Sequence, residues 1–362
     1  MLPRQLSIKK QVYPLPIFCP DATRGVVRSL DSQDLLASLT NGVIINTWHL
    51  HERPGEQNLA NLGGVKKLMN FPGLAISDSG GFQIFSLFQK KPGFGKVTDE
   101  GLVTYTGPNR QHKVIFTPED SIRMQFAIGS DIMICLDDYT PLGADEKTAQ
   151  KSVARTLDWA RRCKNEFEQQ CKKRGFDEKT RPHLYGVIQG DRQLESRRAC
   201  AEGLLKIGFD GFGLGGLNGK PDLDTIAFNA KLTPDEYPRY ALGFGKPEDI
   251  IALYHLGYSI FDCVLPTRDA RHGQLYVFKR DFDFEQLKTG NPTDFYQYFH
   301  LDKGIYSLDE KPIDEKCACH TCQNFSRAYL HHLFKSGDSA FYRLATIHNL
   351  YFYQELMALL RH

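Results

Sequence analysis

The sequence predicts an α/β fold, an irregular (β/α)8 TIM barrel followed by a smaller C-terminal subdomain. Three observations carry this. Short apolar runs alternate with amphipathic segments along most of the 362 residues, as parallel strands alternate with helices. Several runs are continuously apolar, as strands covered on both faces should be. Five of them end in a carboxylate, an amide or a glycine pair, and in a closed barrel every C-terminal strand end opens on one face. A doubly wound sheet, the alternative, draws its ligand site mainly from loops at one switch point.

The strands are expected at 42–48, 74–77, 131–136, 183–188, 208–214, 239–242 and 259–262. Thr117-Pro118-Glu119-Asp120 supplies a helix start, with a capping threonine, proline at the first position and acids in the first turn. Pro247-Glu248-Asp249 opens another helix in the same way. The longest helix is expected over 145–174, with Val153, Leu157, Ala160, Cys163, Phe167 and Cys171 at helical spacing and a basic outer face read as solvated. A final helix is expected over 338–360. The division that follows is a catalytic barrel with an N-terminal extension at 1–278. A connecting insertion and metal-binding subdomain occupy 279–362, and its last helix packs on the barrel.

Composition bounds the function classes. Hydrophobic residues at 41% and charged residues at 24% exclude wholesale disorder. The 45 basic and 43 acidic residues leave a net charge of +2, which does not advertise a nucleic-acid binder, although a local basic patch can coexist with a neutral sum. About 18 consecutive apolar residues occur nowhere, so no membrane span is expected. An odd count of nine cysteines without a signal-like apolar run points to a reducing, cytoplasmic setting.

The chemistry-bearing residues sit at the strand ends. Asp78 follows Leu-Ala-Ile-Ser, and Asp262 follows Tyr-Ser-Ile-Phe. One carboxylate can attack an anomeric carbon while a second moves protons, provided both face one pocket. Either aspartate alone equally fits a helix cap. Asp137 and Gln189 suit a purine, because a carboxylate accepts two parallel N–H bonds from the guanine edge that adenine lacks. The backbone N–H of Gly216 can serve the same base, and Phe82 or Tyr105 can cover its face. Cys317-x-Cys319-x2-Cys322 delivers three thiolates from one turn, and a closed structural zinc site takes four ligands. His348 is the preferred fourth, ahead of His331 and His332. A basic stretch, Thr267-Arg268-Asp269-Ala270-Arg271, and the segment Gly243-Phe244-Gly245-Lys246 offer cations and flexible backbone beside the pocket, as contacts to single-stranded RNA use.

Together these segments resemble the tRNA-guanine transglycosylases. The motifs are Ser77-Asp78-Ser79-Gly80-Gly81-Phe82-Gln83, Cys135-Leu136-Asp137-Asp138, Gly186-Val187-Ile188-Gln189-Gly190 and Gly215-Gly216-Leu217. They continue through Gly243-Phe244-Gly245-Lys246-Pro247-Glu248-Asp249 and Phe261-Asp262-Cys263-Val264-Leu265-Pro266-Thr267-Arg268 to the cysteine turn and His348. The resemblance implies a homodimer that exchanges the wobble guanine of GUN anticodons for a 7-deazaguanine base, with one structural Zn2+. It implies Asp262 as nucleophile and Asp78 as proton acceptor. It implies a base pocket of Asp78, Ser79, Gly80, Gly81, Phe82, Asp137, Gln189, Gly215, Gly216 and Leu217. The segments Gly243–Asp249 and Thr267–Arg271 match the anticodon-loop contacts.

Three features depart from the family pattern. Leu217-Asn218-Gly219-Lys220-Pro221 replaces the usual Leu-Ala-Val-Gly-Glu, which opens volume beside the 7-substituent and tilts the expected base from the aminomethyl precursor preQ1 toward queuine. Tyr139 stands where a small residue is usual and could refill that space. The connection 279–316 is long and carries Phe282, Phe284, Phe295, Tyr296, Tyr298 and Phe299, read as packing rather than RNA stacking. The rival functions are a non-catalytic tRNA-binding partner subunit and a retaining glycosidase. Two aspartates disfavour the first and the Asp137/Gln189 pair the second.

Overall fold

The computed structural model describes residues 3–361 apart from 92, 107–111, 218–221 and 291. Eight parallel strands follow one another in chain order: Ile17–Pro20, Gly42–Ile45, Leu74–Ser77, Ile132–Ile134, His183–Ile188, Gly211–Leu214, Arg239–Ala241 and Ile260–Cys263. They are called strands one to eight below. Strands two to eight each pair with the next, strand eight pairs with strand one with Asp262 opposite Cys19, and a lone bridge between Asp21 and Ile44 nearly closes the ring between strands one and two. The architecture is the eight-stranded α/β barrel expected from the alternation of apolar runs.

Strands two, four and six are shorter than expected, and strand one is additional. The second strand stops at Ile45 rather than 48, because the Asn46 side chain accepts the His49 N–H at 3.0 Å and caps the helix Thr47–Glu52. Strand one was not foreseen. Pro16 and Pro20 bracket it and make it read as coil, yet proline is tolerated at a strand's ends.

Below the barrel, an antiparallel hairpin of Gln5–Ile8 and Gln11–Pro14 carries Lys9 to the start of strand four. Lys9 and Lys66 reach the buried carboxylate of Asp131 at 3.1 and 2.9 Å, which seals that end with an ion cluster. The opposite end stays open. A three-stranded antiparallel sheet, Gly95–Val97, Leu102–Thr106 and His112–Phe116, is inserted after strand three, a feature the sequence reading does not contain. The long helix is Glu146–Arg174, capped by Asp145 and ended at the left-handed Gly175. Arg155 and Arg162 on its basic face are paired with Asp138 and Glu119.

The C-terminal segment returns to the barrel. Helix Ser339–Arg361 buries Phe352 and Tyr353, which stack on Phe278 (4.1 Å between centroids) and Phe18 of strand one (4.5 Å). Each large apolar side chain buried this way contributes up to about 1.5–3 kcal/mol. Gln354 donates to the Phe18 carbonyl at 3.1 Å and Arg361 to that of Pro16 at 2.7 Å, fixing the helix along strand one. Phe282, Phe284, Phe295 and Tyr296 join the same aromatic layer, so most of the connection's rings pack; Tyr298 is half-exposed. No helix among the described residues is long and apolar enough to cross a membrane.

Candidate active site

A cavity of about 410 Å³ opens at the C-terminal ends of the strands. Asp78, Asp137, Gln189, Gly216 and Asp262, drawn from strand ends three, four, five, six and eight, all line it. Asp78 and Gln189 directly follow their strands, Asp137 and Gly216 lie two or three residues beyond theirs, and Asp262 is within the end of strand eight, all at the open C-terminal mouth.

Asp262 is held by two donors on one oxygen. The Tyr240 hydroxyl and the Gly243 N–H each reach Oδ1 at 2.8 Å. Among the described residues nothing donates to Oδ2, so that oxygen is free to approach a ligand. Burial raises this carboxyl to about 6, while Gly243 and Tyr240 act to lower it. Asp78 is bound more tightly: Asn46 Nδ2 (2.7 Å) and Gln83 Nε2 (2.9 Å) donate to Oδ2, and the Thr47 and Gly80 N–H groups (both 2.9 Å) to Oδ1. Burial still pushes it up to about 7, against the pull of the two backbone donors; the charges of Asp21 and Asp262 add to the rise. Two carboxyls in one cavity thus titrate near neutrality, the range in which one group can both give and take a proton.

The facing wall is polar in a different way. Gln189, almost wholly buried, donates to Asp137 Oδ2 at 2.6 Å and accepts the Thr140 N–H at 3.2 Å. Burial lifts Asp137 to about 6, opposed by the Gln189 amide. Gly215 and Gly216 are required by that amide. A Cβ at Gly215 would stand 2.5 Å from Gln189 Nε2, and one at Gly216 2.8 Å from Oε1 with φ at +74°. A carboxylate, an amide and a glycine backbone with no side chain thus meet on one wall of the cavity. Asp138, the second acid of the pair, instead forms a buried ion pair with Arg155.

The other expected residues are distributed unevenly. Ser79 and Phe82 line the cavity; Phe82 is half-exposed at its rim and packs edge-on against Tyr139, 5.5 Å between centroids. Tyr139 also meets Phe85 and lines the cavity. Gly80 and Gly81 shape the turn into the helix Gly81–Lys90, Gly80 being left-handed at φ +80°. Leu217 is buried in the apolar core, away from the cavity. Tyr105 belongs to the inserted sheet and does not line the cavity. Asn218, Gly219, Lys220 and Pro221 lie outside the described residues.

In Gly243–Asp249 only Gly243 touches the cavity. Phe244 is buried, the Gly245 carbonyl accepts the Tyr353 hydroxyl at 2.6 Å, Lys246 is exposed, and Pro247, Glu248 and Asp249 begin the helix Pro247–His255. The basic stretch is not flexible backbone but the helix Leu265–Arg271. Thr267, Asp269 and Ala270 are packed inward, Arg268 is exposed, and Arg271 donates to the Thr267 carbonyl.

The cysteine turn meets the last helix. Cys317, Cys319, Cys322 and His348 are all buried, and their ligand atoms lie within 4.8 Å of one another. His348 Nδ1 stands 3.8, 3.6 and 3.3 Å from the three sulfurs. A tetrahedron with M–S near 2.3 Å and M–N near 2.05 Å has an S···N edge of about 3.6 Å, so the spacing fits a four-coordinate ion. Nε2 contacts the Tyr276 carbonyl at 2.9 Å, which fixes the ring. His331 is engaged with the Leu301 carbonyl instead. The neighbouring Asn349 donates to the Pro266 carbonyl at 3.0 Å, so the cluster is tied to the helix that leaves Asp262.

Asn46, Gln83, Tyr240 and Asp21, absent from the expected site, also line this cavity. Gln83 carries a signal, as the last residue of the motif that contains Asp78, whereas Asn46 is hidden inside the expected strand 42–48. Tyr240 looks apolar in the middle of a strand.

A sequence model of the queuine tRNA-ribosyltransferase family matches residues 4–362. The chain is 38% identical to the queuine tRNA-ribosyltransferase of Nitrosospira multiformis over 360 residues, 98% of this chain and 90% of that protein. It is 39% identical to the enzymes of the same name from Helicobacter hepaticus (94% of this chain, 85% of that protein) and Psychrobacter cryohalolentis (96% and 85%). Those likenesses extend over the barrel, the cavity and the cysteine cluster alike, and the chain belongs to the queuine tRNA-ribosyltransferase family of pentosyltransferases.

Proposed function

We propose that this protein is a tRNA-guanine transglycosylase of queuosine modification. It replaces the wobble guanine of GUN anticodons, in the tRNAs for aspartate, asparagine, histidine and tyrosine, with preQ1 or queuine. The observation that carries this reading is the cavity itself, with Asp78 and Asp262 on its chemical side and the Asp137–Gln189–Gly216 group on the other. The free Oδ2 of Asp262 attacks C1′ of the ribose as the C1′–N9 bond breaks. The departing guanine takes its proton from the Asp78 carboxyl. The incoming base then returns a proton from its own N9 to Asp78, its nitrogen attacks C1′, and Asp262 is released as carboxylate. Atoms and charge balance over the cycle.

Asp137 accepts the N1–H and amino group of guanine, and Gln189 and Gly216 donate to the opposite edge, with Ser79, Gly80, Gly81, Phe82, Gly215 and Leu217 as their support. Lys246, Arg268 and Arg271 are the anticodon-loop cations within Gly243–Asp249 and Thr267–Arg271. The ion of the cysteine cluster is Zn2+, structural and closed, and it pins a C-terminal unit, 279–362, to the barrel of 1–278. The enzyme works as a cytoplasmic homodimer. Mass spectrometry of nucleosides from tRNA incubated with the protein and each base separately tests this. A 7-deazaguanosine replacing one guanosine is expected, with queuine favoured by Gly219; unchanged tRNA with every base overturns the reading.

A further inference from the structure

One carboxylate on the cavity wall has no task in this exchange. Asp21 stands just beyond strand one, next to the strand that bears Asp262 and bridged to Ile44 of strand two. It lines the cavity together with Thr23, whose hydroxyl donates to its Oδ1 at 2.6 Å. Among the described residues no other side chain hydrogen-bonds it. Burial raises its carboxyl above the usual range, and Thr23 and then the charges of His49 and Arg271 act to lower it.

The strand order divides the cavity. Asp137, Gln189 and Gly216 come from strands four to six and hold the base. Asp262 and Asp78 come from strands eight and three, and Asp21 from strand one lies on the arc between them. That arc is where the pentose must sit when Asp262 reaches its anomeric carbon. An acid here burdens its neighbours, since its charge opposes the ionised forms of both Asp78 and Asp262. A donor arriving with the substrate offsets that burden, and a pentose brings hydroxyls.

We propose that Asp21, steadied by Thr23, accepts a hydrogen bond from the ribose 2′-hydroxyl of the nucleotide whose base is exchanged, and thereby makes the enzyme selective for RNA over DNA. The proposal rests on the reading that the cavity holds a guanine nucleotide. The 2′-hydroxyl is the group by which a protein tells the two apart at one site. It is attached next to C1′, so its bond to an anion strengthens as positive charge grows there.

The test compares guanine exchange into an anticodon stem-loop RNA with exchange into the same RNA bearing 2′-deoxyguanosine at the wobble position. Wild type, Asp21→Asn and Asp21→Val are assayed. A hydrogen bond to a charged acceptor predicts a ribose-to-deoxyribose ratio of kcat/KM of about 10 to 100 in the wild type. The ratio falls toward one in Asp21→Val and lies between in Asp21→Asn, which keeps a neutral acceptor. A ratio unchanged by both substitutions, or a wild-type ratio near one, overturns the role of Asp21 while leaving the exchange reaction intact. Absence of exchange by wild type on either substrate overturns the functional reading as well, so the two failures are distinguishable.

Discussion

Replacing Tyr240 with phenylalanine removes a single hydroxyl from the Asp262 carboxylate. That hydroxyl lies 2.8 Å from Oδ1 and is wholly buried, and the ring it leaves behind fills the same space. A hydrogen bond to a charged acceptor contributes about 1.5–3 kcal/mol, and each pKa unit corresponds to about 1.4 kcal/mol. Losing it therefore raises Asp262 by roughly one to two units. Water entering the cavity and the surviving Gly243 N–H favour the lower end. Asp262 lies at about 6 in the intact protein, so about nine-tenths of it is ionised at pH 7. After the substitution roughly half or less is ionised, and the acid limb of the pH profile moves upward. In a guanine-exchange assay from pH 5 to 9, kcat/KM at pH 7 falls about 2- to 10-fold and recovers as the pH rises. The limb reports the coupled carboxyls together, so the shift of the whole limb is the measured quantity. A profile that does not move, or a loss of the same size at every pH, refutes the placement of this hydroxyl on the nucleophile.

Gly216→Ala forces a side chain into a left-handed backbone and against the Gln189 amide, at a cost of about 1–2 kcal/mol. The KM for the free base is expected to rise roughly 5- to 30-fold with a smaller change in kcat, as steady-state kinetics will show. His348→Ala removes one of four metal ligands; elemental analysis is expected to find about one ion per chain in the wild type and far less in the variant, with Tm lowered by about 5 °C or more. Arg343→Met strips the buried Asp34 carboxylate of its partner across 309 residues. Because Arg343 is itself half-exposed, the expected loss is only about 1–2 kcal/mol, read from the urea midpoint.

The part of the site that could be read from the sequence is the part written at strand ends. Asp78, Asp137, Gln189 and Asp262 each interrupt an apolar run, and one interruption per run is the mark of a barrel mouth. Residues inside a run carry no such mark. Tyr240 reads as one more core aromatic until the pleat aims its hydroxyl at Asp262. Asn46 was absorbed into an overlong strand because Ile44, Ile45 and Thr47 all favour extended backbone; only the cap on His49 ends the strand. Asp21 escaped because its strand sits between two prolines. The basic stretch 267–271 reads as flexible loop, yet Pro266 at a helix start and inward-facing Thr267 and Ala270 place it in the packed helix Leu265–Arg271. Charge alone does not say which face of a helix a residue occupies. The metal ligands were the easiest to read, because three cysteines within six residues must converge whatever the chain does between them.

Intact-mass spectrometry of the protein, quenched in acid while turning over an anticodon stem-loop RNA with guanine at the wobble position, tests the central claim that Asp262 bonds to the ribose. A species equal to protein plus RNA minus guanine is expected, mapping to the peptide that contains Asp262 and missing from Asp262→Asn. Base exchange proceeding with no such species, or an adduct that maps to another residue, contradicts it.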